Sequence, residues 1–539
     1  MYIALPPSVK ISLALTASLV VTCAFGAPDS GGLQARTPPA AGALKHVVWG
    51  LPKEPASLDP TQSNEFIINQ VLSNLCEQLF VIDPDFKMQP WLASSVTQPN
   101  ARTYVYEIRK GVRFWDGSPL TVEDVVFSLK RNMDPAVKSR WARYYVNVDK
   151  IEAEGDSKVR VTLKEPDVMF HAAMATAASA VVQQRHTEAN KGQIGTAQVP
   201  PMCSGPFKLQ AWNVASSIVM ARNDAYWNTA MKPKATTFEF KFVTDTAAQV
   251  NGMLTRQIQG MYGPSGSAVA ALHKSKSGKI YMGRSFSNYH LIPNQRPDSS
   301  ATAFTEKLRQ ALSLAVDRGA IANNAYAGTG VPTLSPAPSA TWSYGGNIFP
   351  DAMAKVGPPV VDLEKAKALV REAGPIAKPL VLGYGARSDI EQVATLVQDA
   401  GRKIGIPIEL KAMPYGQFVA SLFDPSLRHY DMLPMTKNVN MTEPLDFYSV
   451  FTPSFAALNF GRYENKSLVQ LIEQARSEPE PITRARLVVK AQDVIIKEKV
   501  WIPLVEFANT LYMDNAVTGA PASYVHPYYP WAALVGSPK

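Results

Sequence analysis

From Leu44 to the end of the chain, segments with the hydrophobic spacing of a β-strand alternate with segments that have the spacing of an α-helix. Residues 104–109 carry apolar side chains at every second position, which is the spacing of a half-buried β-strand. Helical spacing follows from Val122, and Thr121 with Asp124 three residues later has the pattern of a capping box that begins this helix. The second half of the chain predicts the order helix 363–373, strand 380–382, helix 390–404 and strand 408–410. Because strands separated by helices commonly pair in parallel, we predict an α/β protein with parallel sheets and helices on their faces.

The composition excludes several classes of protein. The chain has 539 residues, of which 46% are hydrophobic and 18% charged, so it is not a disordered or coiled-coil protein. Its net charge of +9 comes without a run of Lys or Arg, which argues against a nucleic-acid partner. Three cysteines are too few for a disulfide scaffold. At about 150 residues per domain, the length predicts roughly three structural units.

The N-terminus has the pattern of an export signal. Lys10 precedes the apolar run 11–21, and small residues follow this run. The run is shorter than the roughly 20 residues that a transmembrane helix needs. We therefore expect residues 1–26 to be cleaved as a signal peptide and the mature protein to be periplasmic. A lipid anchor on Cys23 is less favoured, because Thr22 stands where a lipoprotein signal usually has a smaller residue.

The sequence lacks the common motifs of catalysis and cofactor binding. It contains no phosphate-binding loop, no dinucleotide fingerprint, no zinc-protease helix motif and no nucleophile elbow. The seven histidines are dispersed, and only His290 and His429 are candidates for binding a metal chelate. We therefore predict a protein that is not an enzyme and has no catalytic residue, no metal site and no cofactor.

A series of short motifs points to one protein family. In chain order they are Ser57-Leu58-Asp59-Pro60, Glu77-Gln78-Leu79-Phe80, Pro90-Trp91-Leu92-Ala93, residues 106–117, residues 124–129, Ser204-Gly205-Pro206-Phe207, residues 223–227, residues 308–318 and Ile502-Pro503-Leu504. Each motif is weak alone, but together they cover about residues 47–520. The sequence resembles the large extracellular solute-binding proteins of ABC importers (bacterial family 5), which include oligopeptide, dipeptide and nickel binders.

The resemblance implies a two-lobed periplasmic binding protein fold, type II-like and large, with an extra inserted α+β unit in the first lobe. The expected boundaries are 27–43 for a flexible tail, 44–285 and 510–539 for the first lobe, about 86–195 for its inserted unit, and 286–509 for the second lobe. A peptide-like or other small polar solute would bind between the lobes and pass to ABC permease subunits with their cytoplasmic ATPases. We expect a monomer that binds no nucleic acid.

Two cysteines replace residues that this family usually carries. Cys76 stands where the family has the Tyr of Tyr-Glu-Gly-Leu, and Cys203 stands where it has the first Gly of Gly-Thr-Gly-Pro. Both fall in the predicted first lobe, and the periplasm is oxidising. We predict a disulfide between Cys76 and Cys203, with two buried free thiols as the alternative.

The segment 435–447 bears on the ligand. Peptide binders of this family commonly place an Asp there, shortly before an Asp-Pro, to pair with the α-ammonium of the peptide. If Glu443-Pro444 takes the Asp-Pro place, Asn440 occupies the acidic position and Lys437 lies near a position that is usually Trp. A buried ammonium would then lack its counter-charge, which is costly. Lys437, Asn438 and Asn440 favour an anionic or hydroxyl-rich ligand, such as an opine, a modified peptide or a glycoside; the alternative is a solvent-exposed loop lysine.

The family's layout places further residues in the cleft. These are Phe66, Tyr144, Tyr145 and Ser204 in the first lobe, where the aromatic rings could stack on a ligand. In the second lobe, Arg387 follows a predicted strand, and its guanidinium could hold a carboxylate. A solvated loop arginine and simple packing of the aromatic rings are the alternatives.

Two other functions remain open from the sequence. The first is a nickel-type receptor of the same fold, which would need a metal chelate because the histidines are not clustered. The second is an exported hydrolase, for which no nucleophile with a neighbouring base can be named.

Overall fold

Nineteen β-strands and fifteen α-helices make up the regular part of the chain. The computed structural model describes residues 32–63, 65–453 and 458–539, and these elements belong to that part. The strands are β1 (Leu44–Leu51), β2 (Phe80–Ile82), β3 (Met88–Pro90), β4 (Ala93–Asn100), β5 (Thr103–Ile108), β6 (Val148–Glu154), β7 (Lys158–Leu163), β8 (Phe207–Asn213), β9 (Ser217–Arg222), β10 (Ala235–Phe242), β11 (Gly260–Tyr262), β12 (Gly278–Gly283), β13 (Ser287–Pro293), β14 (Gly330–Pro332), β15 (Leu380–Gly385), β16 (Ile408–Met413), β17 (Met432–Asn438), β18 (Ile502–Phe507) and β19 (Asn509–Asp514). The helices are α1 (Phe66–Leu75), α2 (Val122–Lys130), α3 (Val168–Ala173), α4 (Gln184–Ala189), α5 (Thr246–Leu254), α6 (Gly266–Leu272), α7 (Glu306–Ala315), α8 (Arg318–Ala320), α9 (Ile348–Val356), α10 (Leu363–Ala373), α11 (Ser388–Ile404), α12 (Tyr415–Phe423), α13 (Leu445–Tyr448), α14 (Lys466–Ser477) and α15 (Pro481–Glu498).

A seven-stranded sheet forms the first lobe, with the strand order β12-β19-β11-β1-β10-β9-β8. Strand β1 runs parallel to β10 and β11, and the remaining neighbours are antiparallel. The alternate residues Val47, Trp49 and Leu51 of β1 are fully buried, as are Phe238 and Phe240 of β10. The central strands therefore hold one face of the sheet against the core of this lobe.

A six-stranded sheet forms the second lobe, with the order β14-β18-β13-β17-β15-β16. Strand β15 is parallel to β16 and β17, but β13 is antiparallel to β17 and β18, and β14 is antiparallel to β18. The predicted parallel pairing is confirmed for the strands at 380–382 and 408–410, whereas each large sheet as a whole is mixed. A helical crossover favours parallel pairing, as for β15 and β16 through α11. In contrast, β13 enters this sheet from the first lobe, and β18 leaves it toward the first lobe.

A four-stranded antiparallel sheet, β4-β5-β7-β6, forms the inserted unit together with α2, α3 and α4. The predicted capping box begins α2: Thr121 Oγ1 accepts from the Asp124 backbone N–H, and the Asp124 carboxylate accepts from the Thr121 N–H. The unit presents Tyr104, Tyr106 and Phe170 as buried rings. Its apolar side thus faces the rest of the protein.

The chain passes between the two large sheets twice. Residues 284–286 connect β12 to β13, and Ala508 alone connects β18 to β19. Leu33–Lys539 form one compact unit, so the two lobes are in contact. The boundaries at 285/286 and 509/510 stay a prediction.

One buried apolar cluster continues from the inserted unit into the second lobe. It includes Tyr106 and Phe170 on one side and Phe447 and Trp501 on the other. The inserted unit and the second lobe are therefore in apolar contact, and separating them would expose these rings to water.

The described part of the predicted tail, from residue 32 onwards, is docked on the C-terminal segment. The Gln34 N–H donates to the Met282 carbonyl, and the Gly42 N–H donates to the Ser537 carbonyl at 3.1 Å. Thr37 is 7% exposed and donates through its hydroxyl to the Ala520 carbonyl. The expectation of a flexible tail is wrong for these residues, because their backbone groups find partners on β12 and along the C-terminal segment. The predicted signal peptide and Cys23 lie outside the described residues.

A disulfide joins Cys76, at the end of α1, to Cys203, in the loop before β8, with 4.9 Å between the two Cα atoms. Both cysteines are buried, so the predicted pairing is confirmed.

In the described part of the chain, no helix combines the length and the apolar character needed to cross a bilayer.

Candidate functional site

Three strand ends meet at one edge of the second lobe. Because β15, β16 and β17 run parallel, Arg387, Tyr415 and residues 438–440 follow them at the same edge of the sheet. Ligand crevices of α/β sheets form at such carboxyl edges. The inserted unit reaches this edge through the short turn Ala142–Tyr144, because Tyr144 contacts Asp446 of the second lobe.

A polar cluster lies where the inserted unit meets the second lobe. We name it the Asp446 cluster, and it comprises Arg143, Tyr144, Lys437, Asn440 and Asp446. The Tyr144 hydroxyl donates to Asp446 Oδ1 at 2.8 Å, and Asn440 Nδ2 donates to the Tyr144 hydroxyl at 3.2 Å. The Asn440 backbone N–H donates to Asp446 Oδ2 at 2.7 Å. Tyr144 and Asp446 are buried, so these hydrogen bonds are shielded from water.

Two cations accompany the carboxylate of this cluster. Arg143 Nη2 lies 3.8 Å from Asp446 Oδ1, and its guanidinium covers the Tyr144 ring at 4.6 Å. Burial opposes the charge of Arg143, but Tyr144 and Asp446 outweigh it and raise the pKa of Arg143. Burial lowers the pKa of the Lys437 ammonium; Asp446 opposes this shift and Arg143 adds to it. Burial and the Asp446 charge raise the pKa of the Tyr144 hydroxyl.

Asp446 is the residue that sequence reasoning missed. We expected Asn440 to leave the cleft without an acid, but Asp446 brings a carboxylate to Asn440 from six residues further on. The chain reverses at Pro444, which precedes the short helix α13, and Asp446 lies in the first turn of that helix. An acid just after a proline at a helix start is the signal that could have identified the turn, although not its contact with Asn440.

A second buried acid beside the cluster is already paired. Glu443 accepts a hydrogen bond from the Tyr344 hydroxyl at 2.6 Å, and its Oε2 lies 3.3 Å from Arg484 Nε. The Arg484 guanidinium also covers the Tyr344 ring at 4.3 Å. Burial raises the pKa of Glu443, and Arg484 opposes that shift. The resemblance had placed Glu443 in an Asp-Pro position, and the structure gives it this local ion pair.

Tyr145 and Ser204 have hydrogen-bond partners away from the Asp446 cluster. Tyr145 is buried, donates to the Ala178 carbonyl at 2.6 Å and packs edge-to-face on Phe170. Ser204 is 1% exposed and donates to Glu77 Oε2 at 2.7 Å. Neither side chain belongs to the Asp446 cluster, so the two are not candidates for ligand contact in this closed form. Neighbouring residues such as Tyr144 and Tyr145 can diverge because a turn directs consecutive side chains apart.

Aromatic rings from the C-terminal segment pack against the first lobe close to the Asp446 cluster. Phe66 begins α1, and its ring lies 6.3 Å from that of Tyr524. Phe286, in a crossing between the lobes, packs on Tyr524 and Tyr528 at 6.1 and 5.9 Å. Tyr528 lies close enough to Asp446 and Arg143 to feel their charges. The sequence predicts no cleft residue after 509, so Tyr524 and Tyr528 are additions.

Arg387 and Asn438 lie at the same sheet edge but are exposed. Arg387 forms a two-point ion pair with Asp389, at 2.7 and 3.2 Å, and lines a pocket of about 480 Å³ with Tyr289 and Tyr415. A ligand carboxylate would have to compete with Asp389 for Arg387. Asn438 Oδ1 accepts from the Ser287 hydroxyl at 2.6 Å. The structure brings together Tyr144, Lys437 and Asn440, whereas Arg387 and Asn438 have partners of their own.

The histidines singled out from the sequence lie apart from any metal-type cluster. His290 is fully buried, not at the surface, and its ring packs on Phe447 and Trp501. Its Nε2 lies 2.9 Å from the Pro336 carbonyl oxygen, and burial lowers the pKa of His290 to about 3. His429 is exposed. Among the residues that the structure describes, no three His, Cys, Asp or Glu side chains come together as a metal site.

Two mixed sheets linked by two crossings, with a buried polar cluster between an inserted unit and the second lobe, form a two-lobed α/β fold. Comparison with known proteins agrees. Residues 87–458 match the family described as bacterial extracellular solute-binding proteins, family 5 middle. The chain belongs to this family, whose members are the solute-binding components of ABC importers and work with permease and ATPase components.

Relatives and solved structures extend the match to nearly the whole chain. The glutathione-binding protein GsiB of Escherichia coli O1:K1 is 26% identical over 509 residues, which is 92% of each chain. The oligopeptide-binding protein AppA of Bacillus subtilis, solved with a nonapeptide, has a TM-score of 0.72 at 22% identity and covers 93% of this chain and 100% of its own. AgaA of A. tumefaciens R10, solved with agropinic acid, has a TM-score of 0.73 at 22% identity, covering 91% and 98%.

These comparisons confirm the predicted family and fold. The similar proteins are substrate-binding proteins, not enzymes, and the family is periplasmic or otherwise extracytoplasmic. The disagreements between sequence and structure concern the mixed strand order of the sheets, the docked N-terminal segment and the contacts of Ser204, Tyr145 and Asn440.

Proposed function

We propose that this protein captures a peptide-like solute beside the Asp446 cluster and releases it unchanged to its permease. The observation that carries the proposal is the hydrogen bond from Tyr144 to Asp446, which links residues 302 positions apart across the inserted unit and the second lobe. A solute held there contacts both sides at once, and such a solute stabilises the closed form.

The names of the similar proteins support a modified peptide or an opine. GsiB is named for glutathione, and AgaA was solved with agropinic acid. The position of Asn440, together with the nearby positive charges of Arg143 and Lys437, favours such ligands over a simple peptide with a free amine. In this proposal the connections 284–286 and Ala508 act as the hinge, the protein is a monomer in the periplasm, and residues 1–26 have been removed.

Native mass spectrometry of the freshly purified mature protein tests this function. We expect a monomeric mass plus one small non-covalent ligand, which denaturation releases with its covalent structure intact. Ligands should then be added back by titration, beginning with glutathione and tri-alanine. Turnover of an added peptide without any retained or bound ligand would contradict a receptor and favour the hydrolase alternative.

The variant Tyr144→Phe tests whether the Asp446 cluster is the site. Removing this hydroxyl leaves Asp446 Oδ1 and Asn440 Nδ2 without their shared partner, so we expect roughly ten- to hundredfold weaker binding of the co-purified ligand. Tyr281→Phe, on strand β12, is the matched control and should bind like the wild type. Equal affinity for both variants would move the site away from Tyr144.

A further inference from the structure

The charges around the Asp446 cluster do not cancel. Arg143 and Lys437 contribute two positive charges, and Asp446 contributes one negative charge. The neighbouring acids do not make up the difference, because each already has its own arginine: Glu443 pairs with Arg484, and Asp167 pairs with Arg476. The cluster therefore carries a surplus of one positive charge.

Lys437 carries most of this surplus. It is 9% exposed, and among the described residues its ammonium has no hydrogen-bond or ion-pair partner. Strand β17 brings the Lys437 side chain inward while its neighbours Thr436 and Asn438 are exposed. Asp446 stabilises this charge only at longer range. A largely buried ammonium without a direct partner is unfavourable, so this position favours an anion that the protein itself does not supply.

Arg143 offers a second unused donor. Its Nη2 contacts the Tyr144 hydroxyl and lies near Asp446, but its Nε is buried without a hydrogen-bond partner in the described part of the chain. Arginine with a free N–H edge is suited to carboxylates.

Asp446 cannot satisfy both cations. Its Oδ1 accepts from Tyr144, and its Oδ2 accepts from the Asn440 backbone N–H. These hydrogen bonds hold the carboxylate in place, and its contact with Arg143 is the longer distance of 3.8 Å. Asp446 therefore acts as a fixed internal counter-charge that leaves one positive charge of the cluster uncompensated.

We propose that the ligand presents a carboxylate group to Lys437 and Arg143 in the closed cleft. This inference rests on the proposed receptor function and adds the charge of the ligand: a peptide-like acid with a carboxylate at this point, not a neutral or cationic peptide. Lys437 is the specificity-determining residue, because its ammonium is the one without a partner.

Pairs of acids and their isosteric amides test this charge requirement. Ligand-free mature protein would be titrated calorimetrically with glutathione and its C-terminal amide, tri-alanine and its amide, and glutarate and glutaramide. We expect at least one acid to bind about tenfold or more tightly than its amide, because a single buried charge pair is worth at least that much. The dicarboxylate pair keeps the test valid for ligands that are not peptides.

The variant Lys437→Met assigns the effect to this residue. Methionine keeps much of the side-chain volume and removes the charge, so the preference for the acid should fall to about twofold or less. The melting temperature of the ligand-free variant should be equal to or higher than that of the wild type, because an unpaired buried charge has been removed. A merely structural lysine would give the opposite change in melting temperature. Lys490→Met, on an exposed face of α15, is the control and should keep the preference.

The outcomes separate this inference from the proposed function. If amides bind as tightly as their acids, the receptor function stands and the carboxylate site is wrong. If glutarate binds in a Lys437-dependent way but no peptide does, the carboxylate site stands and a peptide-like ligand is wrong. If no acid binds more tightly than its amide, or if Lys437→Met keeps the full preference, the inference is overturned.

Discussion

Glu77 shows how a single buried carboxylate can be held without a cation. It accepts hydrogen bonds from Trp91 and Trp227 Nε1, both at 2.9 Å, and from the Ser204 and Tyr226 hydroxyls, both at 2.7 Å. All four donors are uncharged, so they offset only part of the cost of burial. Burial raises the pKa of Glu77 to about 7, although each donor opposes the shift. The family motif that includes Glu77 is thus an internal structural network, and Ser204 belongs to it.

This raised pKa predicts a pH dependence of stability. Between the unfolded pKa of 4.5 and the folded value of about 7, the folded state keeps a proton that the unfolded state has lost. The contribution of Glu77 is therefore full below pH 4.5 and is lost as pH rises through 7, by an amount on the order of 3 kcal/mol. In Glu77→Gln, the free energy of unfolding in urea should fall less between pH 5 and about pH 8 than in the wild type.

Glu152→Gln, an exposed position on β6, serves as the control for this measurement and should keep the wild-type slope. Identical slopes for Glu77→Gln and the wild type would show that Glu77 titrates normally in the folded protein.

At the scale of elements, the disulfide links the end of α1 to the loop before β8. The two cysteines are separated by 127 positions, so the bond constrains a long loop of the unfolded chain. That loop contains the whole four-stranded sheet of the inserted unit. The bond therefore secures the point at which the inserted unit leaves and rejoins the first lobe.

Removing this bond should destabilise the protein markedly. For Cys76→Ala/Cys203→Ala we expect a loss of about 3 to 5 kcal/mol in the free energy of unfolding, since the unfolded chain regains loop entropy. A reductant should shift the urea midpoint of the wild type toward that of the variant and leave the variant unchanged. Thiol titration of the denatured, unreduced mature protein should find no free thiol, and two free thiols would contradict the bond.

At the scale of the whole molecule, a second contact joins the inserted unit to the second lobe. Asp167, at the start of α3, and Arg476, on α14, form a two-point ion pair at 2.6 and 2.9 Å. Their side chains are 0% and 9% exposed, and Asn147 also donates to Asp167. If the lobes separate to admit ligand, this pair must break. It therefore stabilises the closed form without touching the ligand.

The variant Arg476→Gln should weaken ligand binding from a distance. It leaves Asp167 buried without its cation in the closed form only, so we expect roughly ten- to hundredfold faster dissociation of the co-purified ligand, measured by stopped-flow fluorescence. Asp167→Asn/Arg476→Gln should recover part of the loss. Arg402→Gln breaks an exposed ion pair and is the control. A lower unfolding free energy with unchanged dissociation would show that the pair persists when the lobes open.

The sequence predicted correctly the features that depend on residues close together in the chain, and it missed those that depend on distant residues. The predicted helix 363–373 matches α10, and the predicted capping box of Thr121 begins α2, because both depend on neighbours within a few positions. The mixed order of the two sheets was missed, since pairing between distant strands leaves little local trace. Asp446 was missed for the same reason: its contact with Asn440 depends on a chain reversal at Pro444.

The sequence by itself determined the family and the alternation of strands and helices, and it predicted the pairing of two cysteines that replace family residues, which the structure confirms. These features follow from local periodicity and from motifs in a recognisable order. Only the tertiary structure decided which side chains share the cleft: Tyr144 and Asp446 lie 302 positions apart, and Ser204 belongs to the Glu77 network. The physical reason is that the environment of a polar group is set by long-range packing, which brings a carboxylate to Asn440 and leaves Lys437 without a partner.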